Sequence, residues 1–174
     1  GEPTEYAAQA VKLGLTEIGF TEHAPMPGDG FDNWRMLESE MDIYHEKLDQ
    51  AEKDNPEINI LRSLEVDYLP DYTEWIKSLS NLYEWDYLIG SVHYLGEKWS
   101  FDHPDHRDSW HGKDLSSVWS QYYIRLIESV KIGVFNIIGH CDLIKVFGHR
   151  PDCDLSPLWI PFLEEVKNQD IAIE

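Results

Sequence analysis

Basic side chains are scarce: 14 Lys and Arg stand against 33 Asp and Glu, a formal net charge of −19 in 174 residues. That imbalance disfavours nucleic acid and anionic membrane as partners, because both depend on basic patches. It fits a soluble acidic surface, and bound divalent cations would offset part of it. Cysteine is nearly absent. Cys141 and Cys153 make no disulfide framework and no CxxC pair, which fits a reduced, cytoplasmic setting. No apolar run approaches the roughly 18 residues of a membrane span, and no signal-peptide pattern is visible. Neither GxGxxG nor GxxxxGK followed by Ser or Thr occurs, so the glycine-rich turn of a doubly wound nucleotide-binding sheet is missing.

Periodicity predicts strict alternation of helices and strands. A helix is expected over about 4–13 with Ala7, Ala8, Val11 and Leu13 inward and Gly14 as its stop, then a strand over 17–21. Residues 24–30, rich in Pro and Gly, read as a loop. A helix over 34–53 carries Leu37, Met41, Tyr44 and Leu48 at three- and four-residue steps. A strand over 58–67 follows the break at Pro56. Pro70-Asp71 opens a helix striped by Trp75, Ile76, Leu79 and Leu82, and a strand covers 86–92. A long polar loop is expected over 96–114, then a helix capped by Ser116 or Ser117. A strand over 134–138, a loop over 147–155, a helix over about 157–168 and a last strand complete the order.

Alternation of this kind argues for a parallel α/β sheet with crossover helices, its short apolar strands covered on both faces. No repeat or linker divides 1–174, so one domain is expected. The chain enters its first helix almost at once and stops in a strand just begun, so it is expected to be the interior of a longer protein.

Four strand ends carry ligand-type residues: His23, Glu65, His93 and His140. Parallel strands bring their C-terminal ends to one face, where α/β active sites sit. Imidazole and carboxylate are metal donors, so a metal site gathered from several strands is expected, and a barrel suits that distribution better than an open sheet. Period two places Asp67 on the side of Glu65, and Asp142 on the side of His140; Asp67 or Asp142 could brace the ligands. Arg62, three residues before Glu65, falls on the opposite face. Lys145 can face the same mouth, with Arg107 and His149-Arg150 as loop alternatives. In the loop over 96–114, Trp99, Phe101, Asp102 and His103 could line a substrate pocket. His45 reads as solvent-exposed, and Trp75 and Trp119 as core.

The segments Phe20-Thr21-Glu22-His23-Ala24-Pro25, Leu64-Glu65-Val66-Asp67-Tyr68, Gly90-Ser91-Val92-His93-Tyr94 and Gly139-His140-Cys141-Asp142-Leu143 resemble the polymerase and histidinol phosphatase (PHP) superfamily. Within it the chain looks like the histidinol-phosphatases. The four segments stand in the family's order, their ligand residues separated by 42, 28 and 47 positions. The resemblance implies a distorted βα-barrel, present here as a partial barrel of about five strands, with up to three divalent metals (zinc, iron or manganese). It implies that Glu65 bridges two metals, that His93 and His140 complete one of those two, and that His23 belongs to the third. The implied activity is metal-dependent hydrolysis of a small-molecule phosphate ester, L-histidinol phosphate, through metal-activated water at Glu65, His93 and His140. Lys145, Asp102 and His103 are the substrate-binding candidates.

The family's opening His-x-His, a further early His and a closing Asp-x-His are not in this chain. Only the Glu65, His93, His140 set has its protein ligands together. Residues 1–174 alone are therefore expected to hold one metal well and to turn over little. Three other readings stay open: a PHP phosphoesterase with another substrate, an amidohydrolase-like barrel, and a non-catalytic metal-binding fragment. The amidohydrolase reading wants a strand lysine, which the chain lacks. Oligomers are compatible with the two sheet edges of a cut barrel.

Overall fold

The computed structural model describes residues 1–28, 31–96 and 99–174. Asp29 and Gly30, in the loop expected over 24–30, and Glu97 and Lys98, in that expected over 96–114, lie outside the described residues. The strands are β1 (Glu17–His23), β2 (Asn59–Asp67), β3 (Tyr87–Ser91), β4 (Tyr94–Leu95), β5 (Trp99–Ser100), β6 (Ile137–Ile138) and β7 (Ala172–Ile173). The helices are α1 (Pro3–Lys12), α2 (Met41–Asp54), α3 (Thr73–Leu79), α4 (Leu115–Lys131) and α5 (Ser156–Gln169).

Five strands form one parallel sheet in the order β1-β2-β3-β6-β7. Each new parallel strand is added beside the last, without the reversal of order that marks a doubly wound sheet. This is the arrangement of an arc of barrel, and it puts all five C-terminal strand ends on one rim. The main core lies between the sheet and its helices: Leu64, Val66, Leu88, Ile138, Leu126 and Phe162 are buried in it. No helix among the described residues is long and apolar enough to cross a membrane.

Several local expectations are corrected. β1 has no buried residue; it is an edge strand, not one covered on both faces. α1 buries Ala7 and Ala10, whereas Leu13 is 70% exposed. Gly14 (φ 78°) follows it in the left-handed conformation that glycine permits, and the helix stops there. α2 begins at Met41 after a 3₁₀ turn over Glu38–Glu40, later than the expected 34, and Leu37 lies outside its stripe. Residues 31–37 are held away from helical geometry by long-range bonds from Arg35, described below.

The expected loop over 96–114 has structure of its own. β4 and β5 form a small antiparallel ribbon, and Pro104–Trp110 is 3₁₀. Phe101 and Trp110 are anchored in the core, so Phe101 lines no substrate pocket. α4 is capped by Asp114, which accepts from the Ser116 amide at 3.1 Å, and not by Ser116 or Ser117; an aspartate one residue before the helix out-competes serines already inside it. β6 is only two residues long, shorter than the expected 134–138, and just before it the Asn136 side-chain oxygen accepts the Leu88 amide at 2.9 Å. His45 is not a solvent-facing histidine: its ring stacks on Tyr83 at 4.0 Å and lies 4.9 Å from Trp85.

Candidate metal centre

Parallel register brings the strand ends together. His23 pairs with Glu65 across β1 and β2, and Glu65 with Ile89 across β2 and β3. His93 follows β3 by two residues, and His140 follows β6 by two. His140 has φ 26°, rare for a residue with a Cβ. The turn is held by α4: the Tyr122 hydroxyl donates to the His140 carbonyl at 3.0 Å.

Glu65 is the centre of the cluster. Its Oε1 lies 3.0 Å from His140 Nε2 and 3.5 Å from His93 Nε2. Its Oε2 lies 3.8 Å from His23 Nδ1, beyond hydrogen-bond reach. Ser91 Oγ stands 3.4 Å from His140 Nε2. Burial pushes the Glu65 carboxyl up. The hydrogen bonds from His140 and Ser91 and the fields of His23 and His93 outweigh it, holding its pKa at about 2.

Behind the cluster a relay is buried. His93 Nδ1 meets Asp67 Oδ1 at 2.7 Å, and Asp67 Oδ2 receives Arg35 Nη2 at 2.8 Å. Burial opposes the charge on Asp67, yet His93 and Arg35 together keep its pKa below the usual carboxylate range. Burial also opposes charge on His93; the Asp67 hydrogen bond and charge, with smaller help from Asp102 and Glu65, raise its pKa nonetheless.

The donor set fits a divalent ion. One ligand atom each from Glu65, His93 and His140 lies within 4.8 Å of the others. Two donors bound tetrahedrally at zinc bond lengths stand roughly 3.4 Å apart, close to the separations found here. Nδ1 of both His140 and His23 is buried without a hydrogen bond among the described residues. Buried polar atoms without partners are uncommon; His23 Nδ1, which faces Glu65 Oε2, is a donor atom left open, whereas His140 presents Nε2 to the cluster.

The other candidates are dispersed. Asp142 does not brace His140; it pairs with Lys145, and both are exposed. Asp102 is half-buried and accepts from Ser100 Oγ at 3.1 Å. His103 caps the 3₁₀ segment through Nδ1 and, with Phe31, Asp32, Trp34 and Tyr94, lines a cavity of about 200 Å³. Trp99 donates to Ser109, and Lys113 lies over its ring. Arg107 lies over Phe147, and the His149 ring stacks on Trp110. Arg62 turns to Asp49 and Glu52 of α2, on the face away from Glu65.

Arg35, Ser91, Tyr122 and Trp34 are the site residues that sequence patterns did not single out. The Trp34 and His23 rings stand nearly perpendicular, 4.6 Å between their centres. Ser91 had a usable signal, since period two sets it on the side of His93. Arg35 and Tyr122 had none, because their partners lie 32 and 18 residues away.

Comparison with known proteins agrees with this geometry. The chain is 33% identical over 176 residues to the probable histidinol-phosphatase of Deinococcus radiodurans, covering all of this chain and 66% of that protein. It is 30% identical over 165 residues to the histidinol-phosphatase of Bacillus subtilis, covering 82% of this chain and 60% of that one. The chain thus spans under two thirds of the length of these curated relatives. Among solved structures, the hisK protein of Listeria monocytogenes superposes with a TM-score of 0.82 at 22% identity over 98% of this chain and 74% of that one. The histidinol phosphate phosphatase of Lactococcus lactis, solved with zinc, L-histidinol and phosphate, gives 0.76 at 20% identity over 98% and 65%. At such identities the likeness establishes the fold, a parallel α/β sheet of the distorted-barrel kind. The PHP domain model matches residues 1–174 from end to end, and this chain therefore belongs to the PHP domain family.

Proposed function

We propose that the protein is a metal-dependent phosphomonoesterase that hydrolyses L-histidinol phosphate to L-histidinol and phosphate in the cytoplasm, residues 1–174 acting as one domain. The observation that carries the reading is Glu65, whose two oxygens face separate imidazole groups at the C-terminal rim of a PHP-family sheet. The curated relatives are named for that activity.

In this reading Glu65, His93 and His140 would hold one divalent ion, and Glu65 and His23 would serve further ones. Imidazole and carboxylate suit zinc, iron and manganese alike. Ions held there would supply Lewis acidity to activate water and offset charge on the phosphoryl oxygens. The chain's own residues prepare the site. Asp67 orients His93, Tyr122 holds the His140 turn, and the Glu65 carboxyl stays ionised. Lys145 exchanges Asp142 for the substrate phosphate, a charge-assisted contact. Asp102 and His103 face the amino-imidazole end. The net charge of −19 disfavours nucleic acid and anionic membrane as partners.

Elemental analysis combined with phosphate release from histidinol phosphate and from other phosphomonoesters tests this. Metal with turnover of histidinol phosphate is the expected result. Turnover of other esters only assigns a different PHP substrate, and metal without turnover on the protein at the length of its relatives leaves a binding domain. Residues 1–174 by themselves are expected to hold one ion, because one three-ligand set is found among the described residues.

A further inference from the structure

Arg35 is buried, 8% exposed, in the irregular segment between β1 and α2. Its donors are committed in three directions: Nη2 to Asp67 Oδ2 at 2.8 Å, Nε to Asp32 Oδ2 at 2.7 Å, and Nη1 to the Ala24 carbonyl at 3.0 Å. The guanidinium lies 4.6 Å from the Trp34 ring centre and 5.3 Å from that of Phe31. Asp32 is itself fixed by the Tyr94 hydroxyl at 3.0 Å. The planar fork is therefore held in one orientation, a geometry that lysine cannot reproduce.

That orientation determines what Asp67 can do. With Oδ2 taken by Arg35, Oδ1 points at His93 Nδ1 at 2.7 Å. An ionised carboxylate only accepts, so Nδ1 carries the proton and Nε2 is left as the open donor atom. Nε2 is the atom that faces Glu65. We propose that Arg35 is a positioning residue: through Asp67 it fixes the ring orientation and the Nδ1–H tautomer of His93, so that Nε2 is presented to the metal centre. This rests on the metal-centre reading for its purpose, while the relay stands on geometry alone. It also accounts for the late start of α2: residues 31–37 serve the relay, and a helix there would withdraw Arg35 from Asp67.

The test uses Arg35→Met, Arg35→Lys and a core control, Phe162→Leu, whose side chain lies away from the relay. Long-range ¹H–¹⁵N spectra of His93 in metal-free protein at alkaline pH report the tautomer. Calorimetric titration with Mn²⁺ reports affinity at the Glu65 site. Arg35→Met is expected to mix the His93 tautomers and to weaken Mn²⁺ roughly 10–100-fold, the usual effect of losing an outer partner of a ligand. Arg35→Lys keeps the charge and still loses part of both, whereas Phe162→Leu lowers stability and changes neither. A His93 that stays wholly Nδ1–H in both Arg35 variants overturns the proposal. Should Arg35→Met not fold, Arg35→Lys carries the same decision. Should wild-type protein bind no Mn²⁺, the metal-centre reading fails, and the metal-free tautomer still decides the relay.

Discussion

The two oxygens of Glu65 look out on unlike surroundings. Oε1 faces His93 and His140, each held from behind: His93 by Asp67, and His140 through its carbonyl by Tyr122. Oε2 faces His23, whose ring lies perpendicular to that of Trp34 and whose Nδ1 makes no hydrogen bond among the described residues. The difference follows from the strands. β2 and β3 are interior and largely buried, and β1 is an edge strand without a buried residue. Equivalent strand-end positions are therefore not equivalent as ligands. A donor atom is useful to a metal only when the strand beneath it and the groups behind it hold it still.

Removing the shared carboxylate should abolish the contrast. Glu65→Gln keeps the shape and loses the charge, so metal affinity should fall by more than the roughly 10–100-fold that outer partners contribute. Metal content after dialysis checks this, and a variant that retains its metal would mean that Glu65 is not the hub.

A paired experiment sharpens the contrast. His140→Ala should lose the ion from the three-ligand set. His23→Ala should leave that ion within roughly tenfold of its original affinity, because the braced ligands are untouched. Equal losses in the two variants would show that both oxygens serve one centre.

A smaller effect comes from the bracing itself. Asp67→Asn leaves Arg35 and His93 without their buried counter-charge and should cost about 3 kcal/mol at neutral pH. The folded pKa of Asp67 is depressed, so its contribution is present above the unfolded carboxylate value and lost as pH falls through the folded one. The gap in melting temperature between wild type and Asp67→Asn should accordingly narrow below about pH 4, near the unfolded carboxylate pKa. A gap that widens in acid would contradict the assigned sign.

Much of the arrangement was legible because it is written in periods and run lengths. Apolar runs located β1, β2 and β3 to within a few residues, and period two put Glu65 and Asp67 on one side and Arg62 on the other. Segments organised by single long-range contacts were not legible. Residues 34–37 lie in the expected helix but follow Arg35. Phe101 and Trp110 pull a polar-looking loop into the core. Lys145 stands where a phosphate contact could be expected, and its bond goes to Asp142 three residues away.

The sequence by itself determined the alternation of strands and helices, the parallel sheet that follows from it, and the residue types at the ends of four strands. Those properties are local, since run length, period and side-chain chemistry act within a few residues. Only the tertiary structure decided which imidazole meets which oxygen of Glu65, and that Asp67, not Asp142, is the brace. It also decided that an arginine 32 residues away stands behind that brace. These are choices among distant partners, and they are made by the packing of buried charge, where each donor must find an acceptor that no local pattern names.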